Sequence, residues 1–115
     1  MQLEVRKFLF DIEEAAGHIS QFTAGKELAD YQNEPMLRLA VERAFTIIGE
    51  ALTQLFRVDA SVAARISDAR NIIGFRNILT HAYAQIDDRI VWGIVQSKLP
   101  VLMREVAELM TEPDA

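Results

Sequence analysis

Residues 36–56 read MLRLAVERAFTIIGEALTQLF, and their spacing decides the fold class. Leu37, Ala40, Val41, Ala44, Ile47, Ile48, Ala51, Leu52 and Leu55 recur at intervals of three and four, the period of one helix face. The stripe is wide, so the segment predicts the longest and most apolar helix, central in a bundle. Glu50, inside IIGEAL, interrupts it. A carboxylate is costly to bury unpaired. Glu50 is therefore expected to meet an arginine or a helix N-terminus, or to face an interface.

The same period extends to both sides. Val5, Phe8, Leu9, Ile12, Ala15, Ala16, Ile19 and Phe22 predict a helix over 3–22, with Gly25 as its stop. LADYQNEP, residues 28–35, reads as a connector. In it Asn33 is placed to cap the next helix and Pro35 suits that helix's first turn. Downstream, Asp59 or Ser61 caps a short helix around 61–66, and Asp68 caps one running to about His81. Asp87 or Asp88 caps a last helix over 89–110, which Pro100 should kink. The tail TEPDA, 111–115, is expected to fray. No strand alternation, repeat or low-complexity segment is present. The expectation is a single all-α domain over 1–115, a bundle of four main helices and one short one.

Bulk composition narrows the chemistry. A chain of 115 residues suits one domain and can bury roughly 65% of the surface its unfolded form exposes. It has no cysteine, which removes disulfides, thiolate metal sites and cysteine nucleophiles. The N-terminus lacks the pattern of a signal peptide, and no apolar run reaches the ~18 residues that span a membrane. A cytoplasmic protein with no membrane segment is expected. A formal charge of −5 argues against a broad basic face for duplex nucleic acid. It leaves room for a small phosphate site built from a few arginines in a cleft.

The stretch GFRNILTHAY, residues 74–83, departs from plain amphipathic helix. It holds one of the two histidines of the chain. On a helix ending near His81, Ile72, Phe75 and Leu79, with Ile78 nearby, would face the core. Asn77 and His81 are four apart and share a face. Arg76 and His81 are five apart, about 140° around the axis, although an arginine is long enough to swing toward the same cleft. A histidine can move a proton near neutrality, an arginine forks onto phosphate, and an asparagine orients either group. That is a minimal kit for cleaving RNA without metal: a base for the ribose 2′-OH and a cation for the phosphate.

Such cleavage works best with an acid as well, and the only other histidine is His18, on the first helix. A symmetric dimer would supply the second group by bringing two copies of Arg76 and His81 together. Taken from the residues alone, a single histidine at a helix end is more often a cap or a satisfied surface group than a catalyst. Arg65 and Arg70 are either solvated or an extension of the Arg76 patch. Trp92 reads as core or interface.

RNILTHAY fits the pattern Arg, four residues, His, one residue, Tyr. With Asn77 after the arginine, DIEEAAGHI in the first helix, IIGEAL in the second and DDRIVWGIVQSKLP downstream, the chain resembles the HEPN superfamily. The likeness is closest to its HepT-like toxin branch, and it covers about residues 3–110. Ala82, where relatives often carry an acidic or other polar residue, and the short stretch before the motif are small departures that leave Arg76, Asn77, His81 and Tyr83 in place. The resemblance implies a HEPN-type helical bundle that dimerises with its motif helices facing. It implies a metal-independent endoribonuclease acting on RNA without cofactor, with Arg76 and His81 catalytic in the shared cleft; Asn77 and Glu50, from their own chemistry, are expected to support them. It further implies a type VII toxin–antitoxin pair, in which a minimal nucleotidyltransferase (MNT) antitoxin adenylylates Tyr83. Negative charge and bulk would then sit where the substrate phosphate must go. The competing class is a non-catalytic substrate- or nucleotide-binding partner of a nucleotidyltransferase. A pure binding subunit has no need of Arg76 and His81 together.

Overall fold

The computed structural model describes residues 1–82 and 86–113. In chain order the helices are α1 (Leu3–Thr23), α2 (Leu28–Asn33), α3 (Pro35–Val58), α4 (Ala60–Ala63), α5 (Ala69–His81), α6 (Asp88–Ser97) and α7 (Leu99–Met110). No strand occurs among the described residues, and the all-α class holds.

The stripe of α3 organises the rest. Leu37, Val41, Ala44, Phe45, Ile48, Ala51, Leu52 and Leu55 are buried, while Ala40 and Ile47 lie half-buried at its edges. α1 packs on α3 along one side and α5 along another, and α1 also packs on α7. α6 bridges α2 and α7. From α1 the core takes Val5, Leu9, Ile12, Ala15, Ala16 and Ile19. Phe8 and Phe22, expected on the same stripe, lie at its margin, half-buried and exposed respectively. The Cα envelope measures 47 × 29 × 19 Å. Its thin dimension matches about two helix layers at the usual 8–10 Å spacing.

The four-plus-one count of helices needs two corrections. The expected connector at 28–35 forms α2. Six residues are too few to show a period, but Tyr31 is fully buried and its ring lies 5.5 Å from that of Trp92. The Glu27 backbone N–H donates to the Asp30 carboxylate at 2.8 Å, which satisfies one open donor of the first turn. Tertiary burial and a cap make this helix, not propensity. Asn33 consequently ends α2 instead of capping α3, and Glu34 takes the N-cap position ahead of Pro35.

The second correction concerns the last helix, which is two helices meeting at Lys98. Pro100 sits in the first turn of α7, where its missing N–H costs nothing. The strain expected of a kinked helix is avoided by ending one helix and starting another.

The turns follow ordinary chemistry. Gly25 adopts φ +73° after α1. The Asp59 carboxylate accepts from the Ser61 N–H at 3.1 Å, the Val62 N–H at 3.3 Å and the Ser61 hydroxyl at 2.6 Å, so α4 starts at Ala60, one residue early. Asp87 caps α6 by accepting from the Arg89 N–H at 2.9 Å. Asp68 stands at the N-cap of α5, but its side chain pairs with Lys98 at 3.5 Å. Glu112, within the tail expected to fray, pairs with Arg65, and its backbone carbonyl accepts from Arg6 at 3.2 Å. No helix among the described residues is long and apolar enough to cross a membrane.

Candidate active site

α5 is fixed to α3 by a buried row, Ala69, Ile72, Phe75 and Leu79. Phe75 meets Phe45 edge-on, with ring centroids 5.3 Å apart. Ile78, expected near the core, is 48% exposed because the row turns it outward. This rotation decides where the polar residues go. Arg76 follows Phe75 and lands at the edge of the α3–α5 contact. Gly74, Asn77, Ile78 and His81 form the opposite, exposed face.

Arg76 is seated by a glycine. A Cβ on Gly49 would stand 2.6 Å from the Arg76 Cγ and closer still to its Cβ. No real side chain fits there. The bare backbone of α3 lets the arginine stem lie flat across it, and the guanidinium emerges at the helix edge with its side chain 23% exposed. One terminal nitrogen donates to the Asn77 amide oxygen at 3.1 Å and the other to the Glu50 carboxylate at 3.4 Å. The Nε is buried without a hydrogen-bond partner among the described residues. Two of the five donors of a guanidinium are thus engaged, and two on the terminal nitrogens remain.

The structure therefore brings Arg76, Asn77 and Glu50 together. Glu50 meets an arginine, one of the placements its position in the apolar helix called for. The pair is partly exposed, with Glu50 60% open, so it orients the guanidinium more than it stabilises the fold. His81 is the exposed last residue of α5, and its side chain makes no hydrogen bond to any described residue. The Arg76 side chain bonds to Asn77 and Glu50 and not to His81, which shares its helix face with Asn77 and Ile78. Tyr83 lies outside the described residues.

Two residues weighed as extensions of the phosphate patch go elsewhere. Arg65 pairs with Glu112, and the Arg70 guanidinium lies 4.5 Å from the Phe56 ring centre. Trp92 is buried in the core. His18, exposed on α1, stacks on Phe22. No three His, Cys, Asp or Glu side chains among the described residues are grouped to hold a metal ion. Gly49 is the site residue that sequence reasoning missed. Its signal was available: a glycine within the most apolar helix costs about 1 kcal/mol against alanine and asks for a packing reason.

Fold and motif helix together define a small all-helical protein of the HEPN type. Residues 12–109 match the family described as Ribonuclease HepT-like, and the chain belongs to that family. It is 36% identical over 103 residues to a provisionally named RNase of Methanocaldococcus jannaschii, covering 90% of this chain and 94% of that protein. It is 30% identical over 109 residues to a probable ribonuclease HepT of Thermococcus cleftensis, covering 95% and 98%. A provisionally named RNase of Caldanaerobacter subterraneus is 27% identical over 105 residues, covering 91% and 93%. No solved structure matches the chain significantly.

Proposed function

We propose that the chain, acting as one HEPN domain over 1–115, is the toxin of a type VII toxin–antitoxin pair. It cleaves RNA endonucleolytically in the cytoplasm, as a homodimer and without metal, through Arg76 and His81. The observation that carries this reading is the seating of Arg76. Its stem is laid over Gly49 and its head is held by Asn77 and Glu50, with terminal donors to spare. Such a cation is positioned before any anion arrives and pays little to reorganise. The near full-length relatives named as RNases support RNA as the substrate.

The dimer is supported by the open face of α5. Gly74, Asn77, Ile78 and His81 follow the i, i+3, i+4, i+7 spacing of one helix stripe. Among the described residues, and apart from its own turn of helix, nothing lies within 4 Å of a Cβ placed on Gly74. Two such faces, related by a two-fold axis, bring two His81 side chains to one cleft.

The chemistry then balances. One His81 takes the proton of the ribose 2′-OH, and the 2′-oxygen attacks phosphorus. The P–O5′ bond breaks, the second His81 gives its proton to the leaving 5′-oxygen, and a 2′,3′-cyclic phosphate remains. Arg76 donates to the phosphoryl oxygens as charge accumulates. Asn77 and Glu50 keep the guanidinium turned to the cleft.

Silencing follows from the same charge logic. A nucleotidyltransferase antitoxin that adenylylates Tyr83 places a phosphate beside the motif, where Arg76 would hold it in the substrate's place. Tyr83→Phe, co-expressed with the antitoxin, should stay toxic and gain no adenylyl mass. Full rescue with the mass on another residue removes Tyr83 from this role. The direct test of the activity is incubation of single-stranded RNA with the purified protein in excess chelator. Cyclic phosphate ends are expected. Equal cutting of DNA would show that no 2′-OH is used.

A further inference from the structure

Beside the Glu50–Arg76 pair lies a groove of about 220 Å³ between α1 and α3, lined by Phe8, Asp11, Ile47, Glu50, Ala51 and Gln54. Its size sets a limit. Sites for drug-sized ligands run from roughly 300 to 1,000 Å³, so this one suits a single flat ring system.

Its walls are mixed in a specific way. Ile47, Ala51 and the half-buried Phe8 give an apolar lining with one aromatic ring. The polar groups are two carboxylates and one amide, and each carboxylate is half engaged. The Asp11 Oδ2 accepts from Lys7 at 3.2 Å and the Glu50 Oε1 from Arg76 at 3.4 Å. The Asp11 Oδ1, the Glu50 Oε2 and the Gln54 amide make no hydrogen bond to any described residue. Two free carboxylate oxygens call for a ligand edge rich in N–H donors. Lys7 and Arg76 supply positive charge for an anion lying outside the groove.

Single-stranded RNA offers such a ligand. Its bases splay out, stack on aromatic side chains and are read along their Watson–Crick edges. Guanine presents adjacent N1–H and N2–H₂ donors that match a carboxylate, and its O6 can accept from the Gln54 amide. Uracil presents one N–H between two carbonyls, which the carboxylates repel. Adenine and cytosine each pair one amino group with a ring nitrogen acceptor.

We propose that this groove is a base subsite that selects guanine in the strand next to the cleaved phosphodiester, read by Asp11, Glu50 and Gln54. The proposal rests on the ribonuclease reading and deepens it. Glu50 links the two sites, with one oxygen on Arg76 and the other facing the base.

The test uses 2′-fluoro hexanucleotides, which lack the 2′-OH and stay intact. Oligo-U with one central G, A, C, U or inosine is titrated into the full-length protein and followed by fluorescence anisotropy. The G oligomer should bind roughly fivefold or more tightly than the U oligomer, the lower end of what a bidentate base contact discriminates. Inosine, lacking the N2 amine, should lose most of that gain. Asp11→Asn, which turns an acceptor into a mixed amide at a partly exposed position, should bring G and U within twofold of each other. Gln54→Leu should weaken G without moving U. Equal affinity for all bases, no binding of any oligomer, or a G preference intact in Asp11→Asn and Gln54→Leu overturns the subsite. The ribose versions, assayed for cutting in parallel, separate the two ideas. G-selective binding without cleavage would remove the nuclease reading alone, and cleavage without base selectivity would remove the subsite alone.

Discussion

A methyl group at residue 49 and one at residue 17 should have opposite effects, although both are helical glycines. At 49 the methyl would drive into the Arg76 stem. Overpacking of this kind costs about 1–3 kcal/mol, and it pushes aside the guanidinium proposed to bind phosphate. At 17, apart from its own turn of helix, no described residue stands within 4 Å, so alanine there gains only helix propensity, about 0.5–1 kcal/mol. Chemical denaturation of Gly49→Ala and Gly17→Ala should show stability falling in the first and rising in the second. RNA cleavage should be lost only in the first. Equal stabilisation by both would mean that the arginine is not laid across α3 as described. Tyr31 offers a second residue-scale check. Its buried hydroxyl has no hydrogen-bond partner among the described residues, so Tyr31→Phe should leave the melting temperature unchanged or raise it. A large drop would reveal a partner for that hydroxyl.

Among the elements, α1, α3 and α5 were legible because each buries one face and shows its period. α2 was not legible, because six residues carry no period and its place depends on Tyr31 meeting Trp92, sixty-one positions away. The break at Lys98 was half legible: Pro100 marked it, but the choice between a kink and a new helix is made by packing. The site divided in the same way. Arg76, Asn77, Glu50 and His81 stood out as polar residues in apolar helices. Gly49 was silent until the two helices were brought together.

Glu42, on α3, carries a pH dependence. Burial raises the Glu42 carboxyl above its ordinary value of 4.5, Asp88 adds to the rise, and Arg38 opposes it. A carboxyl raised in this way binds its proton more readily in the folded state than in the unfolded one. Its cost is therefore full at neutral pH and shrinks as the pH falls through the folded value toward 4.5. Glu42→Gln should raise the melting temperature at pH 7, and the gain should dwindle by pH 4. A gain of the same size at both would show that ionisation of Glu42 is not its source.

For the molecule as a whole, the proposed cleavage requires two chains. A slab 19 Å thin offers a broad face for its area, and the exposed row on α5 ends on the one motif histidine. Ile78→Asp sets a charge on that row while leaving the buried row of α5 untouched. It should give a monomer by light scattering, with helix content retained and cleavage lost. An active monomer would contradict the shared cleft. The central claim is that Arg76 and His81 are the chemistry. The measurement that tests it most directly is the single-turnover cleavage rate of single-stranded RNA in chelator for the natural chain, Arg76→Ala and His81→Ala, each confirmed folded by circular dichroism. A loss of roughly 10²–10⁴-fold is expected in each variant. A folded variant of either kind that cuts at the natural rate would contradict it.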